Sequence, residues 1–475
     1  MEQLPDEVLL TILGHLSIPD LLTVRIACKR LAELALHPLL WRSRRMGGGS
    51  LVDPRWTCPV LRLAPCLRSV DIDFSPEACH CAASTTRCAV AEVSLCGNSH
   101  SFPVEAALAL VNLRRNGDIR KLHISFALTC SRPQVRILLD TVVTTPGLEK
   151  LSITNPFCKA KPDARLVAGP SLRKLECPAS SESARFCDAL LAAHASTLEV
   201  VNLLPFNGMH GPTPFSADLL QATAPLLANL KNMRELRTPM LPGLEAVAAV
   251  VSLKEVCVSV VSGGSLAAAT STAQYLAKAK YLSKVTLLYS DEEVQVDLLA
   301  ALGSCPQTSV SHLAVHANDT IVQYVSLALP SLTALQTLEF CVETGFPSPS
   351  LIQAVSPASA PALRMLKFNQ SQGTGDDVCS HTFMHRPEVA QLLQRNPGLH
   401  LVFNPWDDIW NKYCAVRRCQ TCKWCSFKCR MFLEHMCQDK STFLGMYTHD
   451  PIDSCSVDHD PIKVSWLHQP SFYSV

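Results

Sequence analysis

The chain has 475 residues; 48% are hydrophobic and 17% charged, and 42 Lys+Arg against 41 Asp+Glu leave a net charge of +1. This balance excludes a largely disordered chain, which needs few apolar residues and a high net charge. No global basic field exists, so a general binder of nucleic acid or anionic membrane is not expected.

At about 150 residues per domain, the length predicts roughly three domains or one long repeat array with appendages. The opening Met1-Glu2-Gln3-Leu4-Pro5-Asp6-Glu7 has neither a basic nor an apolar leader region, so no secretory signal is expected. The most apolar stretch, 246–269, is broken by Lys254, Glu255 and Gly263-Gly264. A membrane span needs about 20 apolar residues with few or no charges, so none is expected. A cytoplasmic or nuclear location follows, in which thiols stay reduced. Of the 22 cysteines, 15 are scattered through the first 400 residues and read as small buried apolar groups.

Pro5, Asp6 and Glu7 mark a helix start, with acids where the helix dipole favours them. Val8, Leu9, Ile12, Leu13 and Leu16 follow at helical spacing. Ser17-Ile18-Pro19-Asp20 breaks the run, and a second helix is predicted to carry Leu21, Leu22, Val24, Cys28 and Leu31. His37-Pro38 ends it, before Leu39, Leu40 and Trp41. So short a unit cannot cover this many large apolar groups by itself, so it must pack on its own chain or on a partner.

The set Leu4-Pro5, Glu7, Ile12-Leu13, Leu16, Asp20-Leu21, Cys28-Lys29-Arg30 and Pro38 to Trp41 resembles an F-box. Leu31 departs from it, because many members carry an aromatic residue there. The resemblance implies docking of residues 1–46 onto the Skp-type adaptor of a cullin–RING ubiquitin ligase. The adaptor-facing residues would be Leu4, Pro5, Ile12, Leu13, Leu16, Leu21, Leu22 and Cys28. Three glycines, Gly47-Gly48-Gly49, then predict a linker over 47–66.

From Leu67 the pattern L-x-x-L-x-L, with aliphatic substitutes, recurs twelve times, from Leu67-Val70-Ile72 to Leu363-Leu366-Phe368, at a mean period of about 27 residues. Amphipathic helices are predicted between these strands over 104–115, 133–144, 183–194, 217–230, 266–280 and 294–302. The uneven spacing on either side of Met233 predicts a loop insertion and a misplaced register there. A single strand–helix unit cannot bury its own apolar face, so the units must stack. Residues 67–403 resemble the leucine-rich repeat family, which implies an α/β horseshoe with its strands on the concave wall.

Strand side chains alternate, so the third position of each strand should face that wall. It reads Ser69, Glu92, Lys121, Lys150, Lys174, Val200, Glu235, Glu255, Lys284, His312, Thr337 and Met365. Three lysines on adjacent strands should repel one another. Lys121, Lys150 and Lys174, with His123 beside them, are therefore candidate contacts for an acidic target.

Residues 404–475 form a Cys-rich tail, with Cys414, Cys419, Cys422, Cys425, Cys429 and Cys437 inside 24 residues. The spacing of Cys419, Cys422, Cys425 and Cys429 copies a bacterial iron–sulfur run, but Arg430 stands where that run has proline. Three readings stay open. The thiolates, with His435, His449 or His459, could hold zinc or an iron–sulfur cluster. They could form the apolar face of a terminal cap. Beside the six basic residues of 412–430, they could be lipidated. No nucleophile elbow, P-loop or H-E-x-x-H motif is present.

The chain thus reads as a non-catalytic substrate-recognition subunit of an SCF-type ubiquitin ligase. Its expected partners are the Skp-type adaptor, through it the cullin and RING subunits, and a protein substrate. The alternatives are a non-ligase scaffold bound to the adaptor and a metal- or redox-sensing regulator working through the tail.

Overall fold

The structure is a computed structural model that describes residues 4–47, 56–75, 82–126, 132–154, 167–180, 183–204, 222–260, 265–289, 296–305, 309–316, 319–342, 349–370, 387–404 and 444–447. It divides into two compact units, Met1–Arg234 and Glu235–Val475. Each combines helices with a long, mainly parallel sheet, and the first also carries the N-terminal helices.

The first unit opens with α1 (Asp6–Gly14), α2 (Ile18–Val24), α3 (Lys29–Ala35) and α4 (Pro38–Trp41). Leu9 and Leu13, four apart on α1, point inward, while Val8 and Ile12 point out. Ser17 caps α2 by accepting from the Asp20 N–H. The helix predicted to run from Leu21 through Leu31 is two helices, interrupted at Arg25–Cys28. Cys28 is extended, and its Sγ accepts the Leu31 N–H at 3.5 Å, which starts α3 afresh. Trp41 is fully buried and donates its indole N–H to the Ala35 carbonyl at 2.7 Å.

Arg44 fastens these helices to the sheet. Its guanidinium donates to the carbonyls of Leu40 (2.7 Å) and Leu16 (2.8 Å), with longer bonds to Leu13 and Gly14. The last carbonyls of α1, which have no partner within the helix, are thereby satisfied. The next two residues form β1 (Arg45–Met46), which pairs in parallel with β2 (Cys66–Asp73). The segment expected as a linker contains α5 (Thr57–Leu63), which buries Cys58, Val60 and Leu61.

The unit continues with β3 (Ala89–Gly97), α6 (Phe102–Asn116), β4 (Lys121–Phe126), α7 (Arg132–Val143), β5 (Lys150–Thr154), β6 (Lys174–Glu176), α8 (Ala184–Ala193), β7 (Val200–Asn202) and α9 (Thr223–Ala228). Strands β1 to β7 are parallel and lie side by side in chain order. Their register stacks Val70, Val93, Leu122, Leu151, Leu175 and Val201 in one row, and Ile72, Leu95, Ile124 and Ile153 in another. Every member of both rows is buried. At about 1.5–3 kcal/mol for each fully buried aliphatic side chain, these rows dominate the cohesion of the sheet. Phe102 packs between Phe74 and Phe126, with ring centroids 5.5 and 5.7 Å away. Gly97 makes room for it, since a Cβ there would lie 2.5 Å from the ring.

The second unit runs β8 (Glu235–Pro239), a 3-10 helix (Leu244–Ala249), β9 (Glu255–Val260), α10 (Leu266–Lys278), β10 (Lys284–Tyr289), α11 (Leu298–Gly303), β11 (His312–His316) and α12 (Asp319–Ala328). Then come β12 (Thr337–Val342), α13 (Pro349–Ala354), β13 (Met365–Gln370), α14 (Pro387–Arg395), β14 (His400–Asn404) and β15 (Leu444–Tyr447). These strands also follow chain order, all parallel except β15, which runs antiparallel to β14. Leu236, Val256, Val285, Leu313, Leu338, Leu366 and Leu401 form the matching buried row.

The register expected to slip near Met233 does not: Glu235 pairs with Glu255. The short spacing there arises because six residues of 3-10 helix replace the usual α-helix. Among the described residues, no helix is long and apolar enough to cross a membrane.

Candidate functional site

Two surfaces of the first unit hold the candidate residues. One is the outer side of the N-terminal helices. Leu4 (38% exposed), Val8 (43%), Ile12 (48%), Ile26 (79%) and Leu39 (49%) all meet solvent in this segment. Val8 and Ile12 lie one helical turn apart, with Leu4 and Pro5 in the turn before, so they form one stripe. Arg30 joins α3 to the start of this stripe. It bonds the Asp6 carboxylate at 2.6 and 3.0 Å and the Leu4 carbonyl at 2.5 Å. Arg30 thus holds the first turn of α3 against the beginning of α1.

The eight residues expected to face an adaptor divide. Leu4, Pro5, Ile12 and Cys28 are exposed and Leu16 is half-buried. Leu13, Leu21 and Leu22 are buried in the interior of the helical segment, so they support the surface rather than form it. Val8, Ile26 and Leu39 are also exposed but lie outside the eight expected residues. Val8 was detectable from its place four residues before Ile12, whereas Ile26 lies in the interruption that the sequence reading overlooked.

The second surface is the sheet face opposite the buried rows. One row of side chains runs Arg45, Ser69, Glu92, Lys121, Lys150 and Lys174; a second runs Asp71, Ser94, His123, Ser152 and Glu176. All of these except Lys174 line a cavity of about 330 Å³. The structure does bring Lys121, Lys150, Lys174 and His123 together, in the register read from the repeat.

Their repulsion is relieved within the chain. Lys121 bonds Glu92 at 2.8 Å, and Arg68 approaches the same carboxylate at 3.7 Å. Glu176 takes Lys174 at 2.8 Å and Lys150 at 3.6 Å. The argument that stacked lysines demand an acidic ligand therefore fails, because acids in the neighbouring positions already balance them.

The hydrogen bond from Lys121, against some burial, holds Glu92 below the usual carboxylate range, with help from the Lys121, Arg68 and Arg45 charges. Burial pushes Glu176 up, but Lys174, Ser152 and the Lys150 charge together bring it below its ordinary value. Burial keeps His123 below the ordinary histidine range, although Glu176 pulls the other way. Asp71 is pushed up by burial.

Cys419, Cys422, Cys425 and Cys429 lie outside the described residues, so the zinc or iron–sulfur expectation is not placed in the structure. Among the described residues, no cluster of His, Cys, Asp or Glu is arranged to hold a metal. Several scattered cysteines, including Cys58, Cys177, Cys187 and Cys305, are buried. Burial pushes the Cys88 thiol up to about 12, as suits small apolar groups rather than nucleophiles.

Residues 1–46 match the F-box-like family, and this segment is an F-box-like domain. No curated protein matches the chain. Among solved structures, it is similar to one described as the crystal structure of the Rad7 and Elc1 complex in yeast. The identity is 13%, the match covers 78% of this chain and 90% of that one, and the TM-score is 0.41.

Proposed function

We propose that this chain is the non-catalytic substrate-recognition subunit of an SCF-type cullin–RING ubiquitin ligase. The observation that carries the reading is the apolar stripe of Leu4, Val8 and Ile12, left uncovered on an F-box-like domain. Exposed apolar groups gathered on one helix face suit a protein partner, and the Skp-type adaptor is the partner that an F-box implies. In this reading the strand–helix units are leucine-rich repeats, and the open face with Lys121, His123, Lys150 and Lys174 forms part of the target surface.

The work of such a subunit is positional. Holding a target near the charged ubiquitin-conjugating enzyme raises the effective concentration of its lysines. Arg44, which ties the helices to β1, gives the stiff connection that this task needs.

The test is co-purification of the full chain with adaptor and cullin, compared with the double variant Val8→Asp/Ile12→Asp. The parent should capture both subunits. The variant should lose both with little change in thermal unfolding, because the altered groups lie at the surface. Capture of adaptor without cullin would favour the scaffold reading, and capture of neither by the parent would overturn the proposal.

A further inference from the structure

We propose that the cavity on the open face of the first unit is a subsite for one arginine or lysine side chain of a target protein, with Asp71 as its ion-pair partner. This rests on the reading that the open face holds the target, and it names the chemistry recognised there.

The inference follows from which charges in the cavity are already engaged. Of the lysines that line it, Lys121 is paired with Glu92 and Lys150 with Glu176, so an acidic ligand at either would have to displace a carboxylate already in place. Among the described residues, Asp71 is the lining carboxylate without a hydrogen bond or salt bridge, and the charged neighbour it feels is His123. It is half-buried, and a half-buried carboxylate gains most from a charge-assisted bond when a cation arrives.

The surroundings fit such a visitor. Gly47, at φ 91°, lets its backbone pack directly against Asp71, since a Cβ there would overlap the Asp71 Cβ, and it lines the cavity beside the carboxylate. Ser94 and His123 follow Asp71 along the same row. Burial favours the neutral form of the His123 ring, against the pull of Glu176 and Asp71. Guanidinium and ammonium groups are donors only, and the carboxylate and the Ser94 hydroxyl can both accept. The cavity is at the small end for ligand sites, which suits a single side chain. Arg45 and Lys121 also line it, so a run of several basic residues would be repelled. The matching target segment carries one basic residue with neutral or acidic neighbours.

The test uses the full chain and four fluorescein-labelled nine-residue Gly/Ser peptides with a central Arg, Lys, Glu or phosphoserine, titrated by fluorescence anisotropy. The Arg and Lys peptides should bind at least ten-fold more tightly than the other two. Asp71→Asn should erase that preference, Asp71→Glu should restore part of it, and Lys150→Ala should leave it in place. Should Asp71→Asn fail to fold, Asp71→Ser gives the same readout. No preference, a preference that survives loss of the carboxylate, or tighter binding of the Glu or phosphoserine peptide would overturn the inference. Adaptor capture is scored on the same preparations. Capture without the peptide preference overturns this subsite alone, and the preference without capture overturns the ligase reading alone.

Discussion

Beside the buried rows, the first unit sets Lys121, Lys150 and Lys174 against Glu92 and Glu176, whereas the second sets Glu235, Glu255, Lys284, His312, Thr337 and Met365 in the equivalent line. Among the described residues of the second unit, Glu339 is the carboxylate with the largest shift. The hydrogen bond from His312 holds it down to about 2 against burial, with help from Asn369 and the Lys367 charge. His312 approaches Glu339 at 3.4 Å and pairs as an ion only when protonated. The aliphatic lattice is thus nearly interchangeable between the units, and the alternate positions differ. The first face is held by lysine–glutamate pairs, while the second adds a histidine contact to its Lys284–Glu255 and Arg237–Glu235 pairs.

The largest effect should come from the lattice that the units share. Leu151→Ala in the first and Leu313→Ala in the second should each cost about 2–5 kcal/mol, read by urea unfolding, because both side chains are essentially fully buried. A large loss from one substitution and a negligible loss from the other would break the equivalence.

The next effect is specific to the first unit. His194 Nδ1 accepts the backbone N–H groups of Ser171 (3.2 Å) and Leu172 (3.4 Å), and burial keeps the ring neutral by lowering its pKa. His194→Ala should cost roughly 1–3 kcal/mol at pH 8 by orphaning those donors. In the parent, the unfolded chain takes up the proton first, so this part of the stability is present above the ordinary histidine value of about 6.5 and is lost as pH falls below it. The variant should lack that part of the acid response between pH 7 and 5.

Glu339→Gln sharpens the second unit's side, with an expected loss of about 1 kcal/mol at neutral pH. The Glu339 contribution is present above the usual carboxylate value of 4.5 and disappears as pH falls towards about 2. Stability measured across that window should flatten in the variant. At the small end, Arg173→Ala removes an exposed pair with Glu199 at 3.6 Å and should change stability by no more than about 0.5 kcal/mol.

Much of this architecture was legible because a strand repeat constrains the sequence twice, in its period and in its alternation. The L-x-x-L-x-L pattern placed Lys121, Lys150 and Lys174 on one row, and the pairings have that register. The helices over 104–115 and 266–280 fall within two residues of α6 and α10. The pattern missed β1, which has two residues, and β15, which joins antiparallel and outside the repeat. In the N-terminal helices, spacing showed which residues were apolar but not which were covered. Leu21 and Ile26 are both large and aliphatic, yet one is fully buried and the other 79% exposed.

By itself the sequence determined the order of strands and helices, the aliphatic rows and the F-box-like pattern, because each depends on spacing along the chain. Only the tertiary structure decided which charges meet. Lys150 and Glu176, far apart in sequence, pair because β5 and β6 lie side by side, and among the described residues Asp71 has no such ion pair. Charge pairing depends on distances across the sheet of a few ångströms, and no period in the chain encodes those.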